Sequence, residues 1–183
     1  REPTSSLPPD LLAQVRGRVR LLAILILVAS AVDPLFFALR WAWSLVFHVP
    51  LPEGFLASIG FQWVSFAVIA LSAGLWWAAR STRVSADRLI GLGLAYEILI
   101  CLDIAVTSNW QQFAYDGTLP SLTWVPAVVI LFPLVLPGPP RLMLVGSIAS
   151  ALMSPLALLV LHAFGAVRST SDAVVQAAVG AAI

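Results

Sequence analysis

Long apolar runs, each close to the length that crosses a lipid bilayer, are the feature that most restricts how this chain folds. A transmembrane helix needs about 20 mostly apolar residues to cross roughly 30 Å of hydrocarbon. Five segments meet or approach this length and a sixth begins near the end, at residues 21–43, 55–79, 89–107, 122–136, 142–164 and 173–183. Short connections rich in Pro, Gly, Ser or charge separate them. The pattern predicts an all-α, polytopic membrane helix bundle with five complete transmembrane helices and the start of a sixth.

Composition supports the same class. Hydrophobic residues make up 60% of the 183 residues, charged residues only 10%, and the mean hydropathy is +0.96. A soluble domain has nearer a quarter of its residues charged. The net charge of +1 provides no electrostatic basis for binding nucleic acid. The partners expected are therefore membrane lipid, other membrane protein subunits or a second copy of the chain.

The arginines predict the orientation of the bundle. All ten basic residues are arginine. Apart from Arg1 at the start of the chain, seven lie before the first span or between spans on one side of the predicted membrane, namely Arg16, Arg18, Arg20, Arg80, Arg83, Arg88 and Arg141, whereas Arg40 and Arg168 lie on the other. Basic residues are enriched in cytoplasmic loops. The N-terminus is therefore expected in the cytoplasm, and the chain is expected to be a multi-pass protein of the cell inner membrane.

Both ends of the chain carry further expectations. Residues 1–20 form a predicted cytoplasmic segment, in which Val15 and Val19 fall on one side beside Arg16 and Arg20. This segment is expected either to lie as an amphipathic helix along the inner leaflet or to extend the first span into the cytoplasm. The chain begins without methionine and stops inside an apolar run, so a longer product cut within a membrane helix is expected.

Charged residues within the apolar runs are the first candidates for function, because each costs roughly 2.5–3.5 kcal/mol at the centre of a membrane helix. Asp33, Glu97 and Asp103 are such residues, and Asp33 and Asp103 are expected at similar depth. In one hypothesis they line a proton or cation path or a ligand site. In the other they are structural, with Arg40 as the cation for Asp33 or Asp103, or with Glu97 protonated.

Glu97 and Asp103 are expected to point in different directions. They are six residues apart, which corresponds to about 240° around a helix. They therefore do not form a catalytic pair by themselves. Glu97 shares a stripe with Gly93 and Cys101, whose small size favours close approach of a neighbouring helix.

The remaining candidates are two histidines and a row of small residues. His48 and His162 lie near the outer ends of their spans and are weak candidates for ligating a haem or chlorophyll metal; interface residues are the more usual outcome. No metal site is predicted, and the cofactor is unknown. Gly146, Ser150 and Ser154 are spaced by four residues and predict a tight helix-packing face.

A resemblance to a known family rests on three stretches of sequence. SLPPDLL opens the chain, a glutamate falls in the third span within GLGLAYEILICLDIAV, and TWVPAVVILFPLVLPGPPR precedes a proline-containing fifth span. The chain resembles, over most of its length, the multi-span membrane region of bacterial membrane-anchored serine/threonine protein kinases and adenylate cyclases. The resemblance implies a membrane anchor or sensor module that precedes a cytoplasmic catalytic domain, and Glu97 is the residue that best matches a shared polar feature.

Three functions follow as hypotheses. The first is a non-catalytic membrane module that anchors a cytoplasmic signalling enzyme and senses on its behalf. The second is an accessory transmembrane subunit of a larger respiratory or photosynthetic complex. The third is a small proton-coupled transporter, although transporters usually repeat such features across two halves and no internal repeat is visible in this sequence. No phosphate loop or catalytic triad pattern occurs in the sequence, so the segment itself is not expected to be an enzyme.

Overall fold

The protein is described by a computed structural model over residues 9–51, 59–116, 123–136 and 138–165. Within those ranges the regular structure is five helices, α1 Pro9–Phe47, α2 Ile59–Arg80, α3 Ala86–Asp116, α4 Val125–Val135 and α5 Pro140–Ala163. Four of them, α1, α2, α3 and α5, are long and apolar enough to cross a membrane. The architecture is consistent with a helical membrane bundle. The predicted sixth span, 173–183, lies outside the described residues.

α1 is longer than the first predicted span because its N-terminal part packs against the bundle. The helix continues from Pro9 through Pro34 to Phe47 without a break. Val15 and Val19 are fully buried, and they belong to the same core cluster as Leu75 of α2. In the structure this part of residues 1–20 is therefore a continuation of the long helix that packs on the bundle.

Two arginines attach the beginning of α1 to the end of α2. The Arg16 guanidinium donates to the Ser81 carbonyl oxygen at 2.7 Å and also to the Val84 carbonyl oxygen. Arg20 Nε donates to the Ala79 carbonyl oxygen at 3.2 Å. The last carbonyls of a helix have no partner within it, and cations there also interact favourably with the helix dipole. Arg16 and Arg20 thus satisfy the end of α2 and the loop that leads into α3.

Replacement of Arg16 with Gln should loosen this attachment. Hydrogen bonds from a charged donor contribute about 1.5–3 kcal/mol each, and Arg16 makes two of them while half-buried. We expect a lower thermal unfolding temperature in detergent for Arg16→Gln, measured by circular dichroism. Arg83→Gln is the matched control, since Arg83 is exposed. An equal effect of the two substitutions would contradict the proposed attachment.

Contacts between α3 and α5 show in which direction α5 runs relative to α3. The position of a Cβ on Gly146 would lie 2.7 Å from Leu94 Cδ2, and further along α5 Ala157 clusters with Cys101 and Ala105. Residue numbers therefore rise together in α3 and α5, so the two helices are parallel.

α4 runs the opposite way across the same helix. Its first residue, Val125, clusters with Ala105, its Phe132 ring lies 6.4 Å from the Tyr96 ring, and a Cβ on Gly93 would meet Leu136 Cδ2 at 2.7 Å. With 11 residues, α4 is about 16 Å long, which is shorter than the ~30 Å hydrocarbon layer. Pro133 near its end and the PGPP sequence that follows limit its length.

Candidate functional site: the polar contact between α3 and α5

A buried carboxyl group lies where α3 meets α5. Glu97 is 0% exposed, and neither of its carboxyl oxygens has a hydrogen bond within the described residues. The hydroxyl of Ser150 on α5 lies close enough to interact with this carboxyl group. Ser150 is also fully buried, and its Oγ likewise has no geometrically satisfactory hydrogen bond. Native proteins rarely leave buried polar groups unpaired, so each such group calls for an explanation.

The small residues predicted on α5 form the other side of this contact. Gly146, Ser150 and Ser154 are all buried. Gly146 lies against the Leu94 side chain so closely that a methyl group would overlap its end, so Leu94 packs into the space that the missing side chain leaves. Their burial explains why α5 can pack directly over Glu97.

One further group lies near the Glu97 carboxyl. Cys101, one turn along α3, is fully buried and interacts with both Glu97 and Ser150. The contact therefore combines a carboxyl, a thiol and a hydroxyl.

The opposite side of α3 carries a separate polar contact, made with α2. Tyr96 Oη lies 2.6 Å from Ser72 Oγ, and Ser72 Oγ lies 2.7 Å from the Val68 carbonyl oxygen. The single Ser72 proton goes to Val68, since a carbonyl only accepts, and the Tyr96 hydroxyl therefore donates to Ser72. Sequence reasoning did not find this bond; a serine and a tyrosine within apolar spans were its only signal.

Asp103 belongs to this second side. It acts electrostatically on Tyr96, while its Oδ1 is buried without a hydrogen bond and no cation among the described residues acts on it. Asp33 and Arg40 are both exposed on α1. The structure thus separates Glu97 from Asp103, and in the described residues it does not contain the ion pair expected between Arg40 and either aspartate.

The two histidines are not brought together. His48 directly follows α1 and has a positive φ of 54°, whereas His162 lies in the last turn of α5. Helices α1 and α5 do not contact each other over the described residues. In the same part of the chain no group of three or more His, Cys, Asp or Glu residues could hold a metal ion. A shared histidine site for a haem or chlorophyll metal therefore has no support from this arrangement.

Replacing Tyr96 and replacing Ser72 should lower the free energy of unfolding by different amounts. Tyr96→Phe removes a donor and leaves the Ser72–Val68 bond intact, so a loss of about 0.5–1.5 kcal/mol is expected. Ser72→Ala leaves the buried Tyr96 hydroxyl unpaired and should cost more, about 1–3 kcal/mol. Unfolding in mixed detergent micelles measures both, and a larger loss for Tyr96→Phe would contradict the donor assignment.

Comparisons of the chain with protein-family models, curated proteins and solved structures each return no match.

Proposed function

We propose that the chain is a non-catalytic, polytopic module of the cell inner membrane that anchors a cytoplasmic signalling enzyme and transmits a signal to it through the α3–α5 contact. The observation that carries the proposal is Glu97, a fully buried carboxyl group without a hydrogen bond, set against the small residues of α5. Intramembrane ionisable groups are costly and commonly mark functional positions.

The proposal includes a topology in which the chain crosses the membrane five times over α1 to α5. Support comes from the directions of the helices, since α3 and α5 are parallel and α4 returns between them. Val125 is level with Ala105 and Leu136 is level with Gly93, so α4 and the residue after it follow α3 for about 18 Å, a little over half of the ~30 Å hydrocarbon layer. Leu136, directly after α4, has an extended backbone with φ of −104° and ψ of 95°. The chain therefore continues across the membrane beyond the end of the helix.

The proposal also includes an orientation in which the N-terminus lies in the cytoplasm. The hydrogen bonds of Arg16 and Arg20 bring the start of α1 to the α2–α3 loop, and the parallel α3–α5 pair brings Arg141 to the same end. Seven of the eight arginines within the described ranges thus share one end, and Arg40 alone is at the other. The positive-inside rule favours the cytoplasm for the end with seven.

The role of Glu97 follows from how a helix contact responds to charge. Among the described residues the Glu97 carboxyl faces the Ser150 hydroxyl and the Cys101 thiol, and no cation acts on it. Gaining or losing charge there therefore changes the balance between a packed and a separated α3–α5 pair. Such a change at one helix contact is the kind of two-state element that transmits a signal.

The complete gene product provides the test of the anchoring role. Its coding sequence should continue after residue 183 into a cytoplasmic kinase or cyclase domain, and a stop soon after a sixth span would refute the proposal. With the complete product in liposomes, Glu97→Gln should change the rate of phosphotransfer or cyclisation, whereas Gln62→Asn on α2 should not. Equal rates for wild type and Glu97→Gln would remove the signalling role and leave anchoring.

A second candidate, an accessory subunit of a larger membrane complex, has one observation in its favour. Asp33 lies in the middle of the apolar α1 yet is exposed, and intramembrane acids usually face protein or water. A partner helix that covers Asp33 would resolve this. Purification in mild detergent tests the idea, because co-purifying subunits with visible absorbance would favour it, and a pure single-chain species would count against it.

A further inference from the structure

A cleft lies at the end of the bundle opposite the seven arginines. It has a volume of about 330 Å³ and is lined by Arg40, Trp43, Ser44, Val49, Pro50 and Leu51. The chain leaves α1 here through His48, and Ser44 Oγ donates to the Val49 carbonyl oxygen at 2.7 Å. That bond holds the turn against the helix, so the cleft is formed by α1 and the residues that directly follow it.

Arg40 gives the cleft its charge. Its side chain is exposed, and the described residues that line the cleft include no acidic one. Ser44 has already given its proton to Val49, so the guanidinium is the charged hydrogen-bond donor that these residues offer to a ligand. A guanidinium presents several N–H groups in a planar fork that fits phosphate oxygens. The cleft is therefore suited to an anion, and a phosphate in particular.

The depth of Arg40 identifies where such a phosphate would come from. Arg40 follows Arg20 by 20 residues of uninterrupted helix, or about 30 Å, which equals the thickness of the hydrocarbon layer. With Arg20 at one headgroup boundary, Arg40 lies at the other. Trp43, three residues further along α1, is 60% exposed. Tryptophan is enriched at membrane–water interfaces, which agrees with this depth.

The surface next to the cleft is suited to acyl chains. Phe36, one turn of α1 closer to the membrane centre than Arg40, and Leu39, directly before Arg40, are 67% and 57% exposed. A lipid whose phosphate sits at Arg40 would lay its chains along these side chains. Free phosphate would gain nothing from them.

We propose that this cleft binds the headgroup phosphate of an anionic phospholipid, with Arg40 as the cation and Trp43 as the interfacial wall. The proposal rests on α1 spanning the membrane but not on the signalling role. An anionic headgroup is favoured over a zwitterionic one because the described lining of the cleft holds a positive charge and no carboxylate to pair with a headgroup amine.

Native mass spectrometry of the purified chain in detergent, titrated with phosphatidylglycerol, tests this site. We expect wild type and the matched control Arg83→Gln to bind it equally, and Arg40→Gln to bind it at least about tenfold more weakly, as for the loss of one charge-assisted contact. Arg40→Lys keeps the charge but loses the planar fork, so it should bind more weakly than wild type and more tightly than Arg40→Gln. Equal binding by wild type and Arg40→Gln would overturn the proposal.

Two further titrations identify the source of the phosphate. Phosphatidylcholine should bind wild type more weakly than phosphatidylglycerol, and inorganic phosphate should not bind measurably. Binding of inorganic phosphate as tight as that of the lipid would overturn the lipid assignment. A failure of α1 to span the membrane would be seen separately, as wild-type protein that stays soluble without detergent.

Discussion

Replacement of Glu97 with Met should stabilise the bundle while removing its proposed signalling response. Glu97 is fully buried, and its two carboxyl oxygens have no hydrogen bond. An unsatisfied buried polar group costs about 1–3 kcal/mol, and an apolar side chain of similar shape avoids that cost. We expect Glu97→Met to raise the unfolding free energy by a similar amount in a detergent titration.

The control for this prediction is Glu97→Gln, which keeps the length and polarity of the side chain and should change stability little. A destabilised Glu97→Met would mean that Glu97 has a structural hydrogen-bonding role, and the proposed function would lose its main support. If Glu97→Met stabilises the bundle and the complete product loses its regulation, Glu97 is a functional residue that is kept at the expense of stability.

Replacement of Gly146 with Leu should separate α3 from α5. A Cβ at this position would already lie 2.7 Å from Leu94 Cδ2, and a leucine adds three more carbons to a contact in which both residues are buried. Overpacking of this kind costs about 1–3 kcal/mol, occasionally more. We expect a lower unfolding temperature and a smaller fraction of protein eluting at the native position in size-exclusion chromatography.

Gly74→Leu is the matched control, because nothing lies within 4 Å of a Cβ at Gly74 in the middle of α2. This substitution should leave the unfolding temperature unchanged or slightly raised, since leucine is the better helix former. Similar losses for the two variants would show that glycine matters for helix backbone geometry and not for the α3–α5 contact.

The sequence was sufficient to predict the helical membrane class and the approximate location of the described helices, because apolar runs of membrane length have few alternative folds. It was less informative about helix ends. α1 begins at Pro9 instead of residue 21 because Val15 and Val19 are buried and Arg16 bonds to the α2–α3 loop. These are tertiary contacts, and local composition contains no information on them.

The candidate site was predicted only in part for the same reason. Helical spacing was enough to separate Glu97 from Asp103 and to group Gly146, Ser150 and Ser154. It did not indicate that Ser150 faces Glu97, because the relative rotation and direction of α3 and α5 depend on packing. The expectation that Arg40 pairs with Asp33 or Asp103 also depended on helix rotation, and in the structure Asp33 and Arg40 are both exposed.

The five-crossing topology is most directly tested by labelling single cysteines from one side of the membrane. Cys101 is fully buried and is replaced with Ser to provide the background. An impermeant maleimide added to intact cells should label Thr123→Cys, before α4, and should label Thr82→Cys and Pro140→Cys only after the membrane is opened, since Thr82 and Pro140 are both exposed. Labelling of Pro140→Cys in intact cells would place both ends of α4 on the outer side and would contradict the proposed topology.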